Sequence, residues 1–211
     1  MSETAQPAST ARSPQAKDWA RPCQARGYAV KKGIKQEITD LLENLIQADF
    51  PTLRSYELSV IVDRNCDYVT AVSIKRRNVT VWIDKTDIRK MNARARIGAL
   101  VRELCHVERD LKKSPVRCFA EATLSLALPS IVTRDERMTD ELVIAKGYGK
   151  ELLAFQTYHD RHYEPYNEQD GLTCKEIRAR IANRNSDIPR SRDNPKILGR
   201  YDAKIVGDRI A

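Results

Sequence analysis

Apolar residues recur at helical spacing between about Ile34 and Ala48, where Ile34, Ile38, Leu41, Leu42, Leu45 and Ile46 fall on one face. Pro51 helps to end that helix. The period then drops to two. "YELSVIV" (56–62) reads as a strand, and "VTAVSIK" (69–75) and "VTVWID" (79–84) flank "RRN" as a hairpin, with Val79, Val81 and Ile83 on one side. Helical spacing returns from Ala93 to about Lys112. Ile97, Leu100, Val101, Leu104 and Leu111 form the buried stripe there, and Asn92 is placed as N-cap. Arg102, Glu103, His106 and Asp110 fall on a neighbouring face, because residues three and four apart stack along a helix.

Four further helices are expected. "VRCFAEATLSLALPS" (116–130) predicts a short one halted near Pro129, and "ERMTDELVIAK" (136–146) one stopped by Gly147. "KELLAFQTYHDRHY" (150–163) ends before Pro165. The last, "GLTCKEIRARI", carries a capping box in Thr173 and Glu176 and a hydrophobic staple in Leu172 and Ile177. The fold class is therefore α+β: a small mixed or antiparallel sheet with a hairpin, packed on several helices. The pattern gives a globular domain over residues 33–185. Residues 1–32 lack periodicity and are rich in Ser, Thr, Ala, Gln and Pro, a tail expected to be disordered or bound to a partner. Residues 186–211 form a second polar tail, in which "AKIVG" could add a strand or dock on a partner.

Charge changes this picture at the ends. The chain carries a net +8. In residues 1–32, Arg12, Lys17, Arg21, Arg26, Lys31 and Lys32 outnumber Glu3 and Asp18, and in residues 186–211 six basic residues face four aspartates. The middle of the chain is nearly neutral. Basic tails on a near-neutral domain fit a nucleic-acid partner, but neither tail interleaves aromatics with its charges or runs to a block of like charge, and a solubilising role explains them better. Trp82 and Tyr68 read as sheet packing rather than a base-stacking platform. The five cysteines are scattered and include no C-x-x-C pair, which argues against a disulfide framework or a zinc knuckle. No apolar run approaches the length of a signal or membrane span. A reducing, cytoplasmic setting and no membrane partner are expected.

Candidate chemistry gathers in "VRELCHVERD" (101–110). It contains E-x-x-H, with Glu103 and His106, but has Arg102 where the helical zinc signature H-E-x-x-H has its first histidine. The order of helix, strand hairpin and helix bearing E-x-x-H resembles the core of the zincin metallopeptidases, over about residues 33–165. "ERMTD" resembles the E-x-x-x-D element of the glutamate-ligand branch, the gluzincins. The resemblance implies that Val79–Ile83 is the edge strand lining a substrate groove. It also implies that Glu103 matches the general base, His106 and Glu136 match zinc ligands, and Asp140 matches the carboxylate that orients a ligand from behind.

Arg102 breaks the pattern. A guanidinium has no lone pair to offer, stays protonated and repels a dication, whereas catalytic zinc needs three protein ligands. The expectation is an Arg102–Glu136 ion pair acting as a surrogate for zinc, with no bound cofactor. The chain is then a catalytically impaired zincin-like protein, serving as a binding or structural module with protein partners in a larger assembly. Two alternatives stay open: an active zinc metallopeptidase with an unorthodox ligand set, and a nucleic-acid or ribonucleoprotein component. His159 and His162, at i, i+3 in "YHDRH", are the only other histidines that could supply ligands. Glu136 also has a reading without metal, as the last residue of a capping box starting at Thr133, "TRDE". Cys105 reads as core, since neighbouring helical positions point about 100° apart and cannot pair it with His106.

Overall fold

The computed structural model describes residues 32–64, 66, 68–114, 123–124, 128–165 and 170–187. Among them, six helices and one three-stranded mixed sheet make an α+β fold. Helix α1 (Lys32–Asp49) buries Ile38, Leu42 and Leu45, the stripe expected from its spacing. Pro51 opens a single 3-10 turn, Pro51–Leu53, which carries the chain into β1 (Glu57–Asp63).

The hairpin is present. Strands β2 (Thr70–Lys75) and β3 (Asn78–Asp84) pair antiparallel around Arg76 and Arg77, and Arg76 takes a left-handed φ of 57°. Strand β1 joins β3 in parallel, so the order is β1-β3-β2. Val60 and Val62 of β1 align with Val81 and Ile83 of β3, and all four side chains are buried. This order corrects one expectation: Val79–Ile83 is the central strand, and the edges are β1 and β2. The physical reason is pairing between separate segments, since β1 and β2 each bond to β3. Val79, Val81 and Ile83 are the most completely buried strand residues, which suits a strand paired on both sides.

Asp84 ends β3 and caps a helix that the periodicity did not reveal, α2 (Lys85–Lys90). One carboxylate oxygen accepts the backbone N–H of Thr86 at 2.7 Å and of Asp87 at 2.9 Å. Helix α3 (Ala93–Leu111) follows with Asn92 as its N-cap, the Asn92 Oδ1 accepting from Ala95 N at 2.8 Å. This helix touches the sheet at β2 and packs on the helices that follow, so it is buried nearly all round. That position explains why Arg102, Glu103 and Glu108 are buried despite their charge, while Asp110 is exposed.

Helix α4 (Pro129–Ala145) starts seven residues before the expected Glu136. Pro129 opens this helix, since a first-turn residue needs no N–H donor. Thr133 lies inside this helix with its hydroxyl on the Pro129 carbonyl at 3.2 Å, so "TRDE" is not a capping box. The expected helix over 116–130 falls largely outside the described residues, as does "AKIVG". The C-terminus of α4 is a Schellman turn: Gly147, at φ 98°, donates to the Ile144 carbonyl and Tyr148 to the Val143 carbonyl. Helix α5 (Gly149–His162) lies close against α3. A Cβ at Gly98 would stand 2.1 Å from the Glu151 carbonyl oxygen. Helix α6 (Cys174–Asp187) begins as expected. Thr173 N donates to Glu176 Oε2 at 2.9 Å, Glu176 N donates to Thr173 Oγ1 at 3.3 Å, and Leu172 and Ile177 are buried.

Candidate functional site

Three elements meet at one face of α3. Arg102 and His106 lie one turn apart on α3, Glu136 and Asp140 one turn apart on α4, and the chain entering α6 crosses over them. Arg102 Nη2 stands 2.5 Å from Glu136 Oε2, and Arg102 Nε donates to Asp140 Oδ1 at 2.8 Å. The ion pair expected between Arg102 and Glu136 is thus present, and one guanidinium grips both acidic residues of "ERMTD". Asp140, fully buried, uses its second oxygen to accept Leu172 N at 2.8 Å, and Arg102 Nη2 also reaches the Asp170 carbonyl at 3.3 Å. Both residues therefore hold the segment before α6. Charge-assisted bonds of this kind are roughly twice as strong as neutral ones, and burial removes the water that would compete for them.

His106 joins the same network. Its Nε2 is 3.3 Å from Glu136 Oε2, and its Nδ1 is 3.2 Å from Thr139 Oγ1. The Thr139 hydroxyl also lies 3.1 Å from the Asp135 carbonyl. A carboxylate beside Nε2 places a proton on that nitrogen. Burial alone would lower the pKa of His106; the hydrogen bond and charge of Glu136 more than offset it, and the value is raised. Burial likewise opposes ionisation of Glu136, but Arg102 and His106 override it and hold its pKa at about 2. Arg102 and His106 thus face the half-buried Glu136 and the buried Asp140.

Around this centre, Glu103 accepts the Thr70 hydroxyl of β2 at 2.9 Å, which ties the helix to an edge of the sheet. Arg109, seven residues beyond Arg102, donates to the carbonyl and side chain of Asp135 and to Thr139. Sequence reasoning did not single out Thr139 or Arg109, although Thr139 is three residues after Glu136 and Arg109 three after His106, spacings that place them beside the site. Thr70 and the 170–172 segment had no local signal. Asp110 is exposed and pairs with Lys113 rather than joining the site. Cys105 is core, its thiol pushed up to about 12 by burial. The remaining histidines are stacked on tyrosines, His162 on Tyr158 at 4.2 Å and His159 on Tyr163 at 5.0 Å, and His162 Nδ1 lies 2.9 Å from the Tyr158 carbonyl. Among the described residues no group of three or more His, Cys, Asp or Glu side chains is arranged to hold a metal ion.

A zinc ion, which the resemblance to zincins implies, does not fit this donor set as it stands. Arg102 supplies a fixed positive charge in contact with one carboxylate ligand, and leaves only His106 and Glu136 as donors where catalytic zinc needs three. No hydrolytic step follows from these side chains.

The protonation state has a measurable consequence. His106 contributes stability that is fully present below its unfolded pKa of about 6.5 and is lost as pH rises through its higher folded pKa. Glu136 contributes the opposite dependence, present above its unfolded value and lost as pH falls towards 2. In an NMR titration of the three histidines, His106 is expected to titrate above 6.5. In Glu136→Gln it should fall, because burial and the charge of Arg102 are then opposed only by the charge of Glu103.

No protein-family model, curated protein or solved structure matches the chain. Among the described residues, no helix is long and apolar enough to cross a membrane.

Proposed function

We propose that this chain is a zincin-like protein of the gluzincin type in which an arginine replaces the metal, catalytically impaired and retained as a binding or structural module within a larger assembly. The observation that carries this reading is the double grip of Arg102 on Glu136 and Asp140, with His106 beside it. The adjacency of Arg102, His106, Glu136 and Asp140 supports the reading. Asp140 holds the side chain at position 102 from behind, as it would hold a ligand histidine. His106 Nε2 and Glu136 Oε2 stand 3.3 Å apart, the separation of two ligand atoms bound to a tetrahedral zinc at about 2.0–2.1 Å each. Arg102 brings a fixed positive charge to the place a zinc ion would hold, and Glu136 raises the pKa of His106 beside it. The site is electrostatically complete without an electrophile, and its energy goes into fastening α3, α4 and the start of α6.

The purified protein is expected to contain no stoichiometric zinc, to keep its melting temperature in the presence of a chelator, and to leave unfolded protein substrates uncut. One equivalent of zinc together with chelator-sensitive cleavage contradicts the proposal and favours the alternative of an active metallopeptidase with an unorthodox ligand set.

A further inference from the structure

The end of the sheet opposite the β2–β3 turn carries chemistry that the arginine-centred site does not use. Arg64, just past β1, and Lys85, Thr86, Arg89 and Lys90 of α2 line a cleft of about 490 Å³. We infer that this cleft binds the phosphodiester backbone of a nucleic acid.

Three observations support it. First, the cations converge by construction. Lys85 and Arg89, like Thr86 and Lys90, are four residues apart and share a side of α2, and Arg64 faces them from the end of the neighbouring strand. Second, the guanidinium and ammonium groups of Arg64, Arg89 and Lys90 are exposed and, among the described residues, form no ion pair. Other cations of the domain are matched with acids, among them Arg96 with Glu37, Arg109 with Asp135 and Lys146 with Glu108.

Third, the neighbouring acids among the described residues are already engaged. Asp84 accepts the backbone N–H groups of Thr86, Asp87 and Cys66. Asp87, buried, accepts the hydroxyls of Tyr158 and Tyr163, one on each oxygen. Asp63 Oδ1 accepts Arg64 N at 2.7 Å. Among the described residues, no acid lines the cleft. A row of exposed cations without carboxylate partners, beside a hydroxyl donor, matches a chain of regularly spaced monoanions. The basic tails of this +8 chain would add to such binding from either side.

The test is fluorescence anisotropy of a labelled DNA duplex with the full-length protein, across about 50–200 mM salt. The parent is expected to bind with an affinity that falls steeply with salt. The triple variant Arg64→Ala, Arg89→Ala, Lys90→Ala should retain the parent's melting temperature, bind at least tenfold more weakly, and lose about 2–3 units from the slope of log affinity against log salt, at about 0.9 per phosphate contact. A double variant at the other end of the sheet, Lys75→Ala and Arg76→Ala, should stay within about twofold of the parent. Absence of binding by the parent, unchanged binding by the triple variant, or equal losses in the two sets overturns the inference.

Discussion

Arg102→Met is expected to lower the free energy of unfolding by about 3–5 kcal/mol, the usual consequence of removing one partner from a buried ionic group. The loss exceeds that of a packing change because Glu136 and the fully buried Asp140 are left without their shared cation, and Asp140 also anchors the chain entering α6. Arg102→Lys should recover only part of it. A single ammonium cannot present one N–H to Asp140 and another to Glu136 at the angles a planar guanidinium offers. The exposed Arg180–Glu141 pair is a built-in comparison: at 46% and 43% side-chain exposure it should contribute no more than about 1 kcal/mol when Arg180 is replaced by alanine. Urea denaturation of the three variants checks the ranking. Equal losses for Arg102→Met and Arg180→Ala would show that the buried network holds nothing together.

The second large effect is expected at Gly98. Helix α5 approaches α3 so closely that an added methyl group meets backbone, the Glu151 carbonyl at 2.1 Å and Leu152 N at 3.0 Å. Neither atom can turn aside as a side chain would. Gly98→Ala should therefore cost about 3 kcal/mol or more, at the upper end of overpacking penalties, despite the helix propensity gained. Gly33→Ala, in the first turn of α1 with nothing within 4 Å of the new Cβ, should be neutral or stabilising by up to about 1 kcal/mol. Thermal unfolding of the pair separates the close approach from any general preference for alanine. The two helices must meet this closely for α3 to be enclosed, and enclosure is what gives Arg102 its low-dielectric surroundings.

Local signals in the sequence were read correctly where a short segment contains its own answer. Asn92, the Thr173–Glu176 box and Gly147 all act on backbone within a turn of themselves, so their roles follow from spacing alone. The Arg102–Glu136 pair was also legible, because two motifs with fixed internal spacing constrain each other across 34 residues. Pro129 was ambiguous for a physical reason: a residue without N–H stops a helix that precedes it and suits the first turn of one that follows. Which applies depends on packing of α4 against α3 and α5. Helix α2 had a signal that was overlooked, an aspartate followed two and three residues later by the N–H groups it caps. Strand order had no signal at all. That β3 lies in the centre, that Thr70 meets Glu103, and that residues 170–172 cross the site depend on contacts between distant segments. Hydrophobic period can assign a face to each segment but not a neighbour.

The most direct measurement of the central claim is the zinc content of Arg102→His, read beside the parent and beside Arg102→His combined with Glu136→Gln. The introduced imidazole removes the fixed charge that blocks the site and places a lone pair near Glu136 and His106. Asp140 remains to orient it and raise its basicity. If Arg102 stands in place of a metal, the single variant takes up one equivalent of zinc and is stabilised by it, while the parent and the double variant do not. Zinc in the parent, or none in the single variant when it is folded, contradicts the account.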